Sequence, residues 1–304
     1  MEITENPHQT DSDLPESIWE KKIVLSVGDK ICLFIGCFTL LPLRIIILIP
    51  SLLLIWFSSR LGLLGMDEHK PASGFRRVLQ DFNYFVARFI VRVCFGFLSP
   101  KIIGDILPST EAPILVVAPH TSIFDFWVVC WFGSGDLCSA IVREENRNTP
   151  LLGPILRFLQ MVFVRRSSNV SRHEALNTIS MRTVDKDWGR LVIFPEGTTS
   201  VGASLLPFKK GAFLPGDHLI HPVVLRYPNR VDCTTWTLGN GGTIGLFIRA
   251  MASLYNKAEV EVMPALSPVG DPLVFGEVIR RYMGEVGGMD LFEGDLVDEE
   301  GSFA

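Results

Sequence analysis

The chain has 304 residues, 48% of them hydrophobic, with a mean hydropathy of +0.31 and a formal charge of −5. That length allows one large domain or two small ones with a sizeable core. The apolar balance is high for a soluble enzyme, so a membrane-embedded part is expected. The six cysteines (Cys32, Cys37, Cys94, Cys130, Cys138 and Cys233) form no CxxC pair and no zinc spacing. They read as reduced residues of a cytosol-facing protein, and a metal site is not expected.

The charge is unevenly spread. Residues 1–20 hold six acids and no Lys or Arg, and residues 271–304 hold nine acids against two bases. The middle of the chain is therefore basic, which suits anionic head groups, phosphates or CoA. Ordinary solvated helix charge is the plainer reading of any single residue in it.

The acidic start, residues 1–28, lacks the basic region of a signal peptide and any apolar periodicity, so a mobile tail is expected. A membrane-associated helical motif is placed at 29–98. Its most apolar stretch, 31–57, carries one charge, Arg44, and two prolines, Pro42 and Pro50. It is long enough to span a bilayer once. Pro42 near its middle also allows two short helices, about 31–41 and 44–57, forming a hairpin with Arg44 near the turn or snorkelling to head groups. Residues 75–98 place Arg88 and Arg92 on one helical face and read as an amphipathic interfacial helix, or else as a core helix.

From about 99 to 270 the pattern becomes α/β. Short apolar runs at 114–118, 161–164, 191–194, 222–227 and 259–263 read as strands, with helical segments at about 124–132, 150–159 and 172–184. Such alternation predicts a mostly parallel sheet covered by helices. Residues 271–304 read as a C-terminal helix followed by an acidic tail, loose after about 285.

Four segments carry chemistry. In PHTSIFD, a strand ends at Pro119 and a helix opens, with Thr121 or Ser122 as its cap. Asp125 in the first helical turn can reach back to His120, fix its tautomer and leave one ring nitrogen as a base. By itself this pair is a weak signal in a chain with six histidines. FPEGTTS, residues 194–200, follows another strand, and its glycine and hydroxyls suit an approach to phosphate. Glu196 there can accept a hydrogen bond from a substrate hydroxyl or position a basic residue. Phe163-Val164-Arg165-Arg166 ends a third strand and offers bidentate phosphate contacts. FKKGAF supplies Lys209 and Lys210 as phosphate partners. Each of these also has a bland reading as a turn or surface charge. A serine-hydrolase GxSxG and a dinucleotide GxGxxG are both absent from the sequence.

Taken in order, His120-to-Asp125, Phe163-to-Arg166, FPEGT and HPVVLRYP resemble the four motifs of the glycerolipid acyltransferase family, over about residues 40–270. PHTSIFD, FPEGTTS, FKKGAF and HPVVLRYP are most similar to its lysophosphatidylcholine acyltransferase branch. The resemblance implies an α/β acyltransferase fold behind an N-terminal membrane-inserted helical motif. It implies His120 as general base and Asp125 as its orienter. Phe163, Arg166, Glu196, Gly197, Thr198 and Thr199 would hold the acceptor, beside Lys209 and Lys210. It further implies transfer of an acyl group from acyl-CoA, a co-substrate, to a lysophospholipid with no cofactor. The setting would be the endoplasmic reticulum membrane with the catalytic domain facing the cytosol, with membrane lipids and no nucleic acid as partners. Lysophosphatidate or glycerol-3-phosphate as acceptor, and a lipid-binding pseudoenzyme, remain the alternatives; intact His120 and Asp125 argue against the last. Pro119 stands where many members have Asn, a proline that the phosphatidylcholine-type branch also uses, and Gln160 stands where the second motif often begins with Gly. Residues 290–300 lack EF-hand ligand spacing, so no calcium control is expected from this chain.

Overall fold

A seven-stranded sheet organises the computed structural model, which describes residues 18–130, 137–165, 169–214, 216–236 and 241–293. Its strands are β1 (Lys101–Ile103), β2 (Ile114–Ala118), β3 (Cys138–Arg143), β4 (Val162–Val164), β5 (Arg190–Ile193), β7 (Ile220–Arg226) and β8 (Glu259–Val262). Their spatial order is β1-β8-β7-β2-β5-β3-β4, and every neighbouring pair is parallel except β7 with β8. Two short strands, β6 (Ser204–Leu205) and β9 (Asp290–Leu291), pair apart from it. The expected mostly parallel sheet flanked by helices is what the chain forms.

Helices α1 (Val27–Phe38), α2 (Leu40–Gly62), α3 (Phe75–Val93), α4 (Asp125–Val129), α5 (Leu152–Phe158), α6 (Asn169–Val184), α7 (Gly242–Ala252) and α8 (Pro272–Gly287) complete the fold. The continuous apolar strands divide by side-chain parity, because successive residues point to opposite faces. Leu115, Val117, Val192, Val223 and Leu225 pack toward α3, α4 and α7 through Ile90, Val128 and Leu246. Ile114, Val116, Leu191, Ile193 and Val224 pack toward α6 and α8 through Ile179, Ile279 and Met283. Each such burial contributes about 1.5–3 kcal/mol.

The N-terminal helices lie against the domain. A reciprocal Ser26–Asp29 capping box opens α1. At Gly36 the helix passes so close to α7 that a Cβ would stand 1.9 Å from the Ala252 carbonyl oxygen. The break between α1 and α2 falls at Thr39, three residues before Pro42. Pro42 sits in the first turn of α2, where its missing N–H is no loss. Near that end the buried Arg44 donates to the carbonyls of Met251, Ser253 and Leu254 at the end of α7, at 2.8, 2.5 and 3.0 Å. Arg44 thus sits near the turn, but it is satisfied by a helix C-terminus, whose partial negative charge favours a cation, rather than by head groups. At the other end of α2, Ser58 and Ser59 bond Asn83 of α3, and Gly62 lies on the Phe158 ring of α5. Packed at both ends, α2 runs along the domain and leaves Ile46, Ile49, Leu53 and Phe57 exposed. It is long and apolar enough to cross a membrane by length and composition. One face of α3 is buried, and Phe75, Val78, Phe82, Phe85 and Phe89, at spacings of three and four, form an exposed apolar stripe on the other.

Several elements differ from the sequence-based expectation. Strands β1 and β3 and helix α7 were not legible. β3 opens on Cys-Ser-Ala, and α7 carries two glycines that depress helix propensity. The tail expected to start moving after about 285 instead continues α8 to Gly287, and residues 290–291 pair with 204–205. At the other terminus, residues 18–21 of the presumed mobile tail are tied down. Val201 N–H donates to the Ile18 carbonyl at 3.0 Å, and Lys21 pairs with Asp232 at 2.8 Å.

Candidate active site

The strand order β7-β2-β5 brings the carboxyl ends of three adjacent parallel strands together, the usual place for a site in such a sheet. From the end of β2 the chain passes through a cis Ala118–Pro119 bond into His120 and then α4. Neither Thr121 nor Ser122 caps α4. Instead Asp125 turns its own carboxylate back: Oδ2 accepts from the N–H groups of Thr121 at 2.8 Å and Ser122 at 2.9 Å.

The same Oδ2 lies 2.8 Å from His120 Nδ1. A carboxylate only accepts, so Nδ1 carries the ring proton and Nε2 keeps its lone pair. Asp125 is fully buried, whereas the His120 side chain is 22% exposed. The imidazole is stacked on Phe194 from the β5 loop, with centroids 4.0 Å apart and planes 18° apart. The result is a base with a fixed tautomer, clamped on one face and open on its outer nitrogen.

Glu196 lies against His120. Its side chain is wholly buried, and its two oxygens accept from His120 N–H at 2.7 Å and Leu206 N–H at 3.0 Å. Burial raises its carboxyl to about 7, against the lowering by those two amide donors and by nearby His120. Both carboxylate oxygens of Glu196 thus hold backbone amides, one of them that of His120, and the side chain has no solvent exposure. Two further amides hold the loop: Ser200 N–H donates to the His120 carbonyl at 2.9 Å, and Trp236 N–H to that of Thr121 at 2.8 Å.

Gly197 has φ +68°, and a Cβ there would meet the Lys209 side chain at 2.9 Å, so Lys209 lies across the glycine. Thr198 and Thr199 follow it, half-buried, on the same loop. Lys210 is exposed where a short 3-10 turn begins. Phe163 is on β4, three strand spacings or roughly 14 Å from β2. Its ring carries the Arg147 guanidinium 4.7 Å from the centroid. Arg166 lies outside the described residues. Gln160 has φ +55°, the left-handed conformation that explains a glycine preference at that position. Its side chain bonds the carbonyls of Glu68 and Lys70, which tie the α2–α3 connection down.

Sequence reasoning missed Tyr227. Its hydroxyl donates to Asp125 Oδ1 at 2.5 Å. The residue was visible in HPVVLRYP, but only the adjacency of β7 and β2 shows what it touches.

Residues 100–226 match the family model Acyltransferase. Fold and site together therefore define an α/β acyltransferase domain. The chain is 33% identical over 295 residues to lysophospholipid acyltransferase LPCAT4 of Xenopus tropicalis, covering 94% of this chain and 53% of that protein. It is 35% identical over 260 residues to lysophosphatidylcholine acyltransferase 2 of Homo sapiens, covering 82% and 46%. The 1-acyl-sn-glycerophosphate (LPA) acyltransferase PlsC of Thermotoga maritima shares the fold, with a TM-score of 0.52 at 16% identity over 83% of this chain and 97% of that one. These matches agree with the glycerolipid acyltransferase family, and the relatives of 33% and 35% identity carry the names of its lysophosphatidylcholine acyltransferase branch. The chain spans about half the length of the curated relatives it matches.

Proposed function

We propose that this chain transfers a fatty acyl group from acyl-CoA to the free hydroxyl of a lysophospholipid at a membrane surface. The carrying observation is His120, with Nδ1 held by buried Asp125 and Nε2 open. Nε2 takes the proton of the acceptor hydroxyl as its oxygen attacks the thioester carbon. The tetrahedral intermediate collapses, the carbon–sulfur bond breaks, and the proton passes to the departing CoA thiolate. Asp125 stabilises the transient imidazolium, and no acyl-enzyme is required. Lys209 across Gly197, the hydroxyls of Thr198 and Thr199, Lys210, Phe163 and Arg166 serve the phosphate-bearing substrates. Glu196 contributes by holding the catalytic loop.

The exposed apolar faces of α2 and α3 support membrane attachment. The packing of both ends of α2 on the domain favours insertion from one side over a span leading away from it. An endoplasmic reticulum location with the site facing the cytosol fits this reading. The decisive assay is the purified chain in mixed micelles with radiolabelled acyl-CoA and a panel of lysophosphatidylcholine, lysophosphatidylethanolamine, lysophosphatidate and glycerol-3-phosphate. His120-dependent acylation of the first two is expected, and His120→Ala should abolish it in a protein that stays folded and membrane-bound. Full activity of His120→Ala refutes the mechanism. Acylation confined to the last two replaces the acceptor. Tags at both ends, tested by protease protection, should lie on one side of the membrane; opposite sides refute the one-sided insertion.

A further inference from the structure

We propose that Tyr227 is a positioning residue that sets the proton affinity of the His120–Asp125 pair. This deepens the acyl-transfer reading and rests on it.

The placement follows from topology. β7 lies beside β2, and Tyr227 is the first residue beyond its end. The ring meets Phe97 edge-on at 5.9 Å, and the hydroxyl is aimed at Asp125 Oδ1, 2.5 Å away. The donors around the carboxylate divide unequally. Oδ2 receives His120 Nδ1, Thr121 N–H and Ser122 N–H, whereas among the described residues Oδ1 receives Tyr227 alone. Asp125 has no solvent exposure, so water does not substitute at Oδ1 in this arrangement.

The electrostatic consequence has a definite sign. Each donor to a buried carboxylate withdraws charge from it and lowers its attraction for a neighbouring cation. Tyr227 therefore makes the imidazolium of His120 less favourable and keeps Nε2 available as a base at lower pH. Among the described residues, Glu196 from the loop after β5 is a further titratable group that faces the pair, and the Ser122 hydroxyl meets the phenol itself. Burial and the adjacent carboxylate push the phenol of Tyr227 far above its ordinary range, so it remains a donor throughout the working pH range.

Tyr227→Phe keeps the ring and removes only the donor. The acidic limb of the kcat/KM profile against pH should move upward by about 0.5–1 pH unit, with kcat about tenfold lower and KM for both substrates unchanged. Site-specific replacement by 3,5-difluorotyrosine keeps the packing and strengthens the donor, so the limb should move downward instead. That second variant decides the matter if Tyr227→Phe fails to fold. A role in packing alone predicts no movement of the limb in either variant, and that result overturns the proposal. His120→Ala is run alongside: if it retains activity, the acyl-transfer reading itself fails, whereas an inactive His120→Ala with unmoved Tyr227 variants rejects only the role of Tyr227.

Discussion

Glu196→Gln tests whether a buried carboxyl holds the catalytic loop. The wild-type side chain accepts two backbone N–H groups, one from His120 and one from Leu206, with no solvent exposure. Glutamine offers one oxygen and one NH2, so one amide must face a donor, at a cost of about 1–3 kcal/mol. Titration adds a second signature. The carboxyl rises from its ordinary 4.5 to about 7 because burial disfavours the charged form. A group whose folded pKa is raised contributes stability that is fully present below pH 4.5 and lost as pH rises through 7. For this rise the contribution is about 3 kcal/mol. Glutamine does not titrate, so the stability gap between wild type and variant should shrink by about that amount from pH 4.5 to 8. Denaturant unfolding in detergent at four pH values measures the gap. A gap that stays constant to within about 1 kcal/mol, or widens with pH, refutes the reasoning. Displacement of His120 should also lower kcat by roughly 10–100-fold at pH 7.

Asp125→Asn removes the acceptor that fixes the His120 tautomer and should lower kcat by about 10³–10⁴ with the fold retained; steady-state kinetics within tenfold of wild type would count against the pair. Arg44→Met leaves the last carbonyls of α7 without their three donor contacts and should destabilise the protein by about 3 kcal/mol, read as an earlier unfolding midpoint. Gly62→Val drives a side chain into the Phe158 ring, which a Cβ would already meet at 2.1 Å, and should cost about 1–3 kcal/mol in the same assay.

Legibility varied with burial. β2 was readable to the residue because five consecutive apolar positions are buried on both faces of the sheet, a pattern that needs no tertiary information. β3 was not, because its first residues are small and only its place between β5 and β4 makes them strand. The His120–Asp125 hydrogen bond could be anticipated from a five-residue spacing across a strand–helix turn. Glu196 was read either as accepting from a substrate hydroxyl or as positioning a basic residue, and the sequence could not choose because it does not show that the side chain is buried. The amides it accepts from, those of Leu206 and His120, lie 10 and 76 residues away.

The sequence by itself determined the alternating α/β pattern, the apolar N-terminal motif and the local His120–Asp125 contact, because each depends on residues within about one turn or strand of one another. Only the tertiary structure decided the partners of Tyr227, Glu196 and Arg44. Each is satisfied by a partner from a different element, and it is the strand order β7-β2-β5, together with the packing of α2 on α7, that sets those partners at hydrogen-bond distance.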